Sequence, residues 1–139
     1  MLMGIHVPFD RGLSGHSDAD VMLHALMDAL LGAAGLGDIG QHFPDTDATY
    51  KNSDSLLLLE RVMGELRSRG WHVENADVCL IGENPKIAPH RQAMRERIAP
   101  ILGIEIEALN VKATTTEQLG FTGRGEGLAS QAVALIERN

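Results

Sequence analysis

The chain has 139 residues, 44% hydrophobic and 22% charged, enough for one domain with its own core. A formal charge of -7, from 12 basic and 19 acidic residues, argues against nucleic acid and anionic membranes as partners, since both bind through excess Lys and Arg. The single cysteine excludes an internal disulfide and fits a reducing cytoplasm, no apolar run reaches the roughly 18 residues of a membrane span, and no signal peptide is visible. A phosphorylated substrate would meet the same negative field, so any phosphate site here should be small and metal-assisted.

Taken in chain order, residues 3–9 predict a short strand, ended by Pro8 and the turn residues near Gly12 and Gly15. Ser17 is the expected N-cap of the first helix, with Asp20 completing an acidic capping box, and the helix should stop near Ala34, before Gly35 and Gly37. Residues 37–51 read as a loop. Ser53 is expected to cap a second helix with Leu56, Leu59, Val62, Met63 and Leu66 on one face, closed by Arg67, Arg69 and Gly70. Residues 71–73 and 76–82 read as two strands, and Cys79 in that apolar run as a small buried hydrophobe rather than a nucleophile. A third helix is expected over 89–101 with Met94 and Ile98 inward, then a strand over 109–113 and a loop over 114–127. Residues 128–136 are apolar on both faces; without a polar helical stripe they read as strand. The order β-α-α-β-β-α-β-β predicts an α+β fold, a sheet of about four to five strands with helices packed on one face.

Within the apolar first helix, Asp20, His24 and Asp28 recur at i, i+4 and i+8 and form one polar line. Buried, such a line must be paired, because desolvation costs several kcal/mol per ion. The residues leave two readings open: mutual hydrogen bonding inside an interface, or a His24 nitrogen offered to a metal. Gly15-His16-Ser17-Asp18 sits at a helix N-terminus, where backbone N–H groups favour anions; capping explains Ser17 but not His16. Asp38, Asp45 and Asp47 share one loop, suited to turns or to a sugar diol. Thr114-Thr115-Thr116-Glu117 at a strand end suits phosphate oxygens, with Glu117 able to hold a hard cation. Arg124 in the glycine loop and Lys86 in the 82–88 loop are further anion contacts.

Taken together, these runs resemble a known family. His16-Ser17-Asp18-Ala19-Asp20-Val21, Asp28-Ala29-Leu30-Leu31-Gly32-Ala33, Gly37-Asp38-Ile39-Gly40, Phe43-Pro44-Asp45-Thr46-Asp47, Pro85-Lys86, Val111-Lys112-Ala113-Thr114-Thr115-Thr116-Glu117 and Gly120-Phe121-Thr122-Gly123-Arg124-Gly125-Glu126-Gly127 are similar, in order, to the 2-C-methyl-D-erythritol 2,4-cyclodiphosphate synthases of the non-mevalonate isoprenoid pathway. The resemblance implies a cytoplasmic homotrimer with active sites between subunits. It implies a phosphorus-oxygen lyase whose cytidine diphosphate-linked substrate closes into a cyclic diphosphate with release of CMP. It implies two cofactors, zinc or another divalent transition metal and magnesium or manganese. By position His24 matches a zinc ligand and Glu117 the contact to the second cation, while His16 and Thr115 match the pair that stabilises the transition state. His16 and Ser17 with Ile39, Phe43, Pro44, Asp45, Thr46 and Asp47 match the methylerythritol phosphate surroundings, and Asp38 and Gly40 the ribose contacts. Gly82, Glu83, Asn84, Pro85, Lys86, Ile87 and Ala88 match the cytosine loop, and Ala113, Thr114, Thr115, Thr116 and Glu117 the diphosphate contacts. Phe121 and Arg124 match residues toward a trimer axis, where the family has an apolar cavity able to hold an isoprenoid diphosphate. The family's first strand carries an Asp-x-His motif with the other two zinc ligands, and this chain has no such segment before Met1, so a shortened form of the family's chain is the expectation, ahead of a weak enzyme. Two competing classes are a non-catalytic nucleotide-binding trimer and a zinc hydrolase.

Overall fold

The computed structural model describes residues 1–8, 20–44 and 54–139. Helix α1 (Val21–Ala33) starts at Asp20, whose carboxylate accepts the Leu23 N–H at 3.0 Å. The same buried carboxylate accepts the N–H groups of Met3 and Gly4 at 2.9 and 2.8 Å, so one side chain caps the helix and clasps the N-terminal turn. Met3 and Gly4 have φ of 50° and 73°, and Leu2 and Ile5 exchange two backbone hydrogen bonds of 2.9 Å around them. Two successive left-handed residues cannot continue a strand, so the strand expected from Met3 is instead a tight turn. Ser17, the expected cap, lies outside the described residues; Asp20 takes the role because its two oxygens reach donors on both sides. Burial pushes the Asp20 carboxyl above its usual range, and the three backbone N–H groups pull it partly back. The sign follows: with its folded value raised, Asp20 favours the folded state below the ordinary carboxylate range and loses that contribution as pH rises through the raised value.

A single turn, α2 (Ile39–His42), lies in the expected 37–51 loop, with Asp38 accepting the Gln41 N–H at 2.9 Å. Helix α3 (Ser55–Ser68) is capped by Asp54, not by Ser53, which lies outside the described residues. Leu56, Leu59, Val62, Met63 and Leu66 are all buried, as their spacing predicts, and Gly70 follows with φ 84°.

Strand β1 (Trp71–Ile81) joins the two strands expected over 71–73 and 76–82. The register shifts between Val73 and Asn75, a bulge that bends the ladder without breaking it. A short 3₁₀ turn leads into α4 (Arg91–Leu102), where Met94 and Ile98 are fully buried, and β2 (Leu109–Thr114) returns parallel to β1. A one-turn helix, α5 (Gly120–Gly123), precedes β3 (Ala129–Arg138), which pairs antiparallel with β1 and confirms strand over helix for that segment. The sheet order is β2-β1-β3, three strands among the described residues where four to five were expected, partly because one bulged strand had read as two.

Val73, Ala76, Val78, Leu80, Leu109 and Val111 point into one core with α1, α3 and α4. The opposite sheet face carries Asp77, Lys112, Val133 and Leu135, the last two 72% and 56% exposed. Cys79 is half-buried on that open face instead of in the core, because strand alternation gives the inward positions to Val78 and Leu80. We expect Asp20→Ala to lower unfolding free energy by about 2 to 4 kcal/mol, since it removes a cap and orphans two further buried N–H groups; denaturant unfolding at neutral pH measures this.

Candidate active site at the carboxyl ends of β1 and β2

Parallel strands end on the same side, so β1 and β2 deliver their following loops side by side. The ladder continues one step past the strands, with the Gly82 N–H donating to the Thr114 carbonyl at 3.0 Å. Glu83 then accepts the Gln118 N–H at 3.1 Å, tying the 82–88 loop to the threonine loop. Between them opens a cleft of about 1020 Å³, lined on one side by Glu83, Asn84, Pro85, Lys86 and His90. Gln118, Thr122, Arg124, Gly125 and Leu128 line it from the other side. The carboxyl ends of parallel strands are a recurrent ligand position.

The threonine loop is held in a conformation that most side chains avoid. Glu117 and Gln118 have φ of 54° and 65°, and the Glu117 N–H donates to Thr115 Oγ1 at 3.3 Å. Thr116 hydrogen-bonds the buried Thr122 hydroxyl at 3.0 Å, closing the segment onto α5. Gly123 packs so close to the Gln118 backbone that a Cβ there would overlap it, which explains one glycine of the motif physically. Consecutive left-handed non-glycine residues cost of order 1–3 kcal/mol each and cluster at binding sites.

Lys86 is exposed at the cleft and forms no hydrogen bond or ion pair with a described residue. Arg124, by contrast, is engaged: its Nε and Nη2 donate to the two Glu126 oxygens at 2.6 and 3.2 Å. That contact raises the guanidinium pKa and lowers the Glu126 carboxyl, so an anionic ligand at Arg124 must displace or accommodate Glu126.

On α1 the polar line divides. Asp20 is consumed by capping, and Asp28 accepts the Ile39 N–H at 2.9 Å, anchoring α2 to the helix. Both carboxylates thus serve backbone amides, not the mutual Asp-His hydrogen bonding inside an interface that the sequence left open. His24, half-buried, has a contact of 3.5 Å to Ser55 Oγ, at the limit of a hydrogen bond. Among the described residues it belongs to no group of three or more metal-ligating side chains. A catalytic zinc takes three protein ligands, so the described residues do not by themselves complete such a centre.

Gly82, Glu83, Asn84, Pro85, Lys86, Ala113, Thr114, Thr115, Thr116, Glu117, Phe121 and Arg124 thus sit on neighbouring segments at one end of the sheet. Asp38, Ile39, Gly40 and Phe43 lie instead beside α1, with Ile39 and Phe43 packed against the core. Ile87 is buried in the core, so any contact it makes to ligand is through its backbone. His16, Ser17, Asp45, Thr46 and Asp47 lie outside the described residues. His90, Gln118 and Thr122 line the cleft and were not read as site residues. Nothing in the sequence marks the left-handed turn at Gln118, whereas the position of His90 three residues beyond Ile87 was a usable signal.

The YgbB family matches residues 1–137 of the chain. The 2-C-methyl-D-erythritol 2,4-cyclodiphosphate synthase of Thiobacillus denitrificans is 60% identical over 135 residues, covering 97% of this chain and 84% of that protein. Among solved structures, the bifunctional IspDF of Campylobacter jejuni superposes with a TM-score of 0.93 at 44% identity, covering all of this chain and 38% of that one. A 2C-methyl-D-erythritol-2,4-cyclodiphosphate synthase in a CDP-bound form superposes with a TM-score of 0.87 at 33% identity, covering 99% and 89%.

The Glu83–Gln118 bond yields a local test. Glu83→Ala should speed amide exchange at Gln118 by about fivefold, the effect of losing a hydrogen bond worth about 1 kcal/mol, while exchange within α3 stays unchanged; residue-resolved hydrogen exchange reads both.

Proposed function

The chain belongs to the YgbB family of 2-C-methyl-D-erythritol 2,4-cyclodiphosphate synthases and carries out their cyclisation, and we propose that it does so at the β1–β2 cleft. The substrate is 4-diphosphocytidyl-2-C-methyl-D-erythritol 2-phosphate. An oxygen of its 2-phosphate bonds to the β-phosphorus. The bond from that phosphorus to the bridging oxygen breaks, and CMP departs with the bridging oxygen and its electron pair. The product is the 2,4-cyclodiphosphate. No proton need move, so the protein's task is to position two anions and neutralise them.

Backbone groups of residues 82–88 hold cytosine, Lys86 meets a phosphate, and Thr114 to Glu117 face the diphosphate. Asp38 has one oxygen on Gln41 and retains acceptor capacity for a ribose hydroxyl, with Gly40 beside it. His16 and Thr115 stabilise the transition state, and His16, Ser17, Ile39, Phe43, Pro44, Asp45, Thr46 and Asp47 surround the methylerythritol phosphate. His24 would be one ligand to a divalent transition metal, zinc by the chemistry of an imidazole donor, and Glu117 would contact magnesium or manganese; both ions would supply positive charge beside the phosphates.

The observation that carries the reading is the joining of the 82–88 loop to the threonine loop at Gly82–Thr114 and Glu83–Gln118. Oligomerisation completes it: the open sheet face, with Val133 and Leu135 exposed, packs in a homotrimer that brings His24 to the threonine loop of a neighbouring copy. Phe121, 51% exposed, and Arg124 border a central cavity for an isoprenoid diphosphate. No described helix is long and apolar enough to cross a membrane, and a cytoplasmic location fits the single cysteine.

The absence of His24 from any group of three metal-ligating side chains among the described residues favours, as a second reading, a trimer that binds cytidine nucleotides without turnover. One assay separates them. With substrate, zinc and magnesium, the chain should release CMP and cyclic product, and His24→Ala should cut that release about 100-fold or more while retaining the trimer's mass and CDP binding. Binding without CMP release by the unaltered chain would favour the second reading, and undiminished release by His24→Ala would remove His24 from the metal.

A further inference from the structure

At the opposite end of β1 from the cleft, three side chains converge that the cyclisation does not use. His72 faces Glu137 across the β1–β3 ladder, and Glu74 is the extra residue in the bulge between Val73 and Asn75. Because of that bulge Val73 and Ala76 both point into the core, which leaves Glu74 outward beside His72. His72 Nε2 lies 2.7 Å from Glu74 Oε1 and 3.8 Å from Glu137 Oε2. One donor atom from each of the three residues lies within 4.8 Å of the others.

The second ring nitrogen, Nδ1, lies 2.6 Å from Asn139 Oδ1, an atom that can only accept, so Nδ1 carries a proton. Asn139 is itself fixed, its backbone N–H donating to the Gly70 carbonyl at 2.8 Å. An imidazole that gives one N–H to a fixed oxygen and turns its other nitrogen toward carboxylates has the outer-shell support of a metal-binding histidine. When protonated, Nε2 donates to Glu74 Oε1; without that proton, the two carboxylates around it leave negative charge that another cation can offset. No Lys or Arg supplies it among the described residues: neither glutamate is ion-paired to one, and the adjacent Arg138 guanidinium is placed over the Trp71 ring at 4.4 Å.

We propose that His72, Glu74 and Glu137 bind a divalent transition metal of the zinc class, with water completing its coordination. One imidazole with two carboxylates suits zinc, nickel or copper better than magnesium or calcium, which take oxygen alone. Nine residues of strand, roughly 30 Å at about 3.3 Å each, separate the site from Ile81 and the cleft. The ion therefore has no part in phosphoryl transfer; it staples the end of β3 to the start of β1.

Zinc titration against a chromophoric chelator tests this on the full chain carrying His24→Ala, which removes the reaction-site ligand. One zinc per chain should remain bound. Adding His72→Ala should abolish that equivalent, and adding Glu137→Gln or Asn139→Ala should weaken it about tenfold or more. CMP release by the single variant His72→Ala should match that of the unaltered chain. The proposal fails if the His24→Ala protein binds no zinc, or if adding Glu137→Gln and His72→Ala, with circular dichroism showing both folded, leaves zinc binding as it was. It also fails if His72→Ala alone abolishes CMP release.

Discussion

The parallel, in-register pairing of β1 with β2 is the constraint on which the site depends. Ile81 opposite Thr114 places both strand ends on one side, and the Gly82–Thr114 hydrogen bond carries the pairing into the loops. A slip of one residue would turn Leu109 and Val111 from the core to the open face and expel the threonine loop from its place beside Glu83. The buried Met94 and Ile98 of α4 secure the crossover that makes the pairing parallel. Core packing and the geometry of the strand-end loops are thus one arrangement.

Polar groups near the core follow the rule that none is left without a partner. Asp20 satisfies three N–H groups, Asp28 satisfies Ile39, and no buried side-chain nitrogen or oxygen among the described residues lacks a hydrogen bond. Against that background the weak 3.5 Å contact of His24 stands apart.

Much of this was legible from residue order. The spacing of Leu56, Leu59, Val62, Met63 and Leu66 gave the buried face of α3, and the missing polar stripe after Gly127 gave β3. Motifs along the whole length identified the family. What escaped depends on groups distant in sequence. The turn at Met3–Gly4 needs Asp20 to hold it, 17 and 16 residues away. Asp28 looked like part of a functional line until the Ile39 amide accounted for it. The trio of His72, Glu74 and Glu137 exists only through a bulge and an antiparallel register, neither of which period-two patterning records.

Hydrogen exchange of the full chain with and without CDP, in magnesium, tests the central claim most directly, because amides of the two strand-end loops are proposed to meet the nucleotide. The account predicts slowed exchange at 82–86 and 114–118, together with the Asp38–Gly40 turn, and no change at 72–74 or 137–139. Slowed exchange absent from the two strand-end loops, at CDP concentrations that saturate binding, would contradict it.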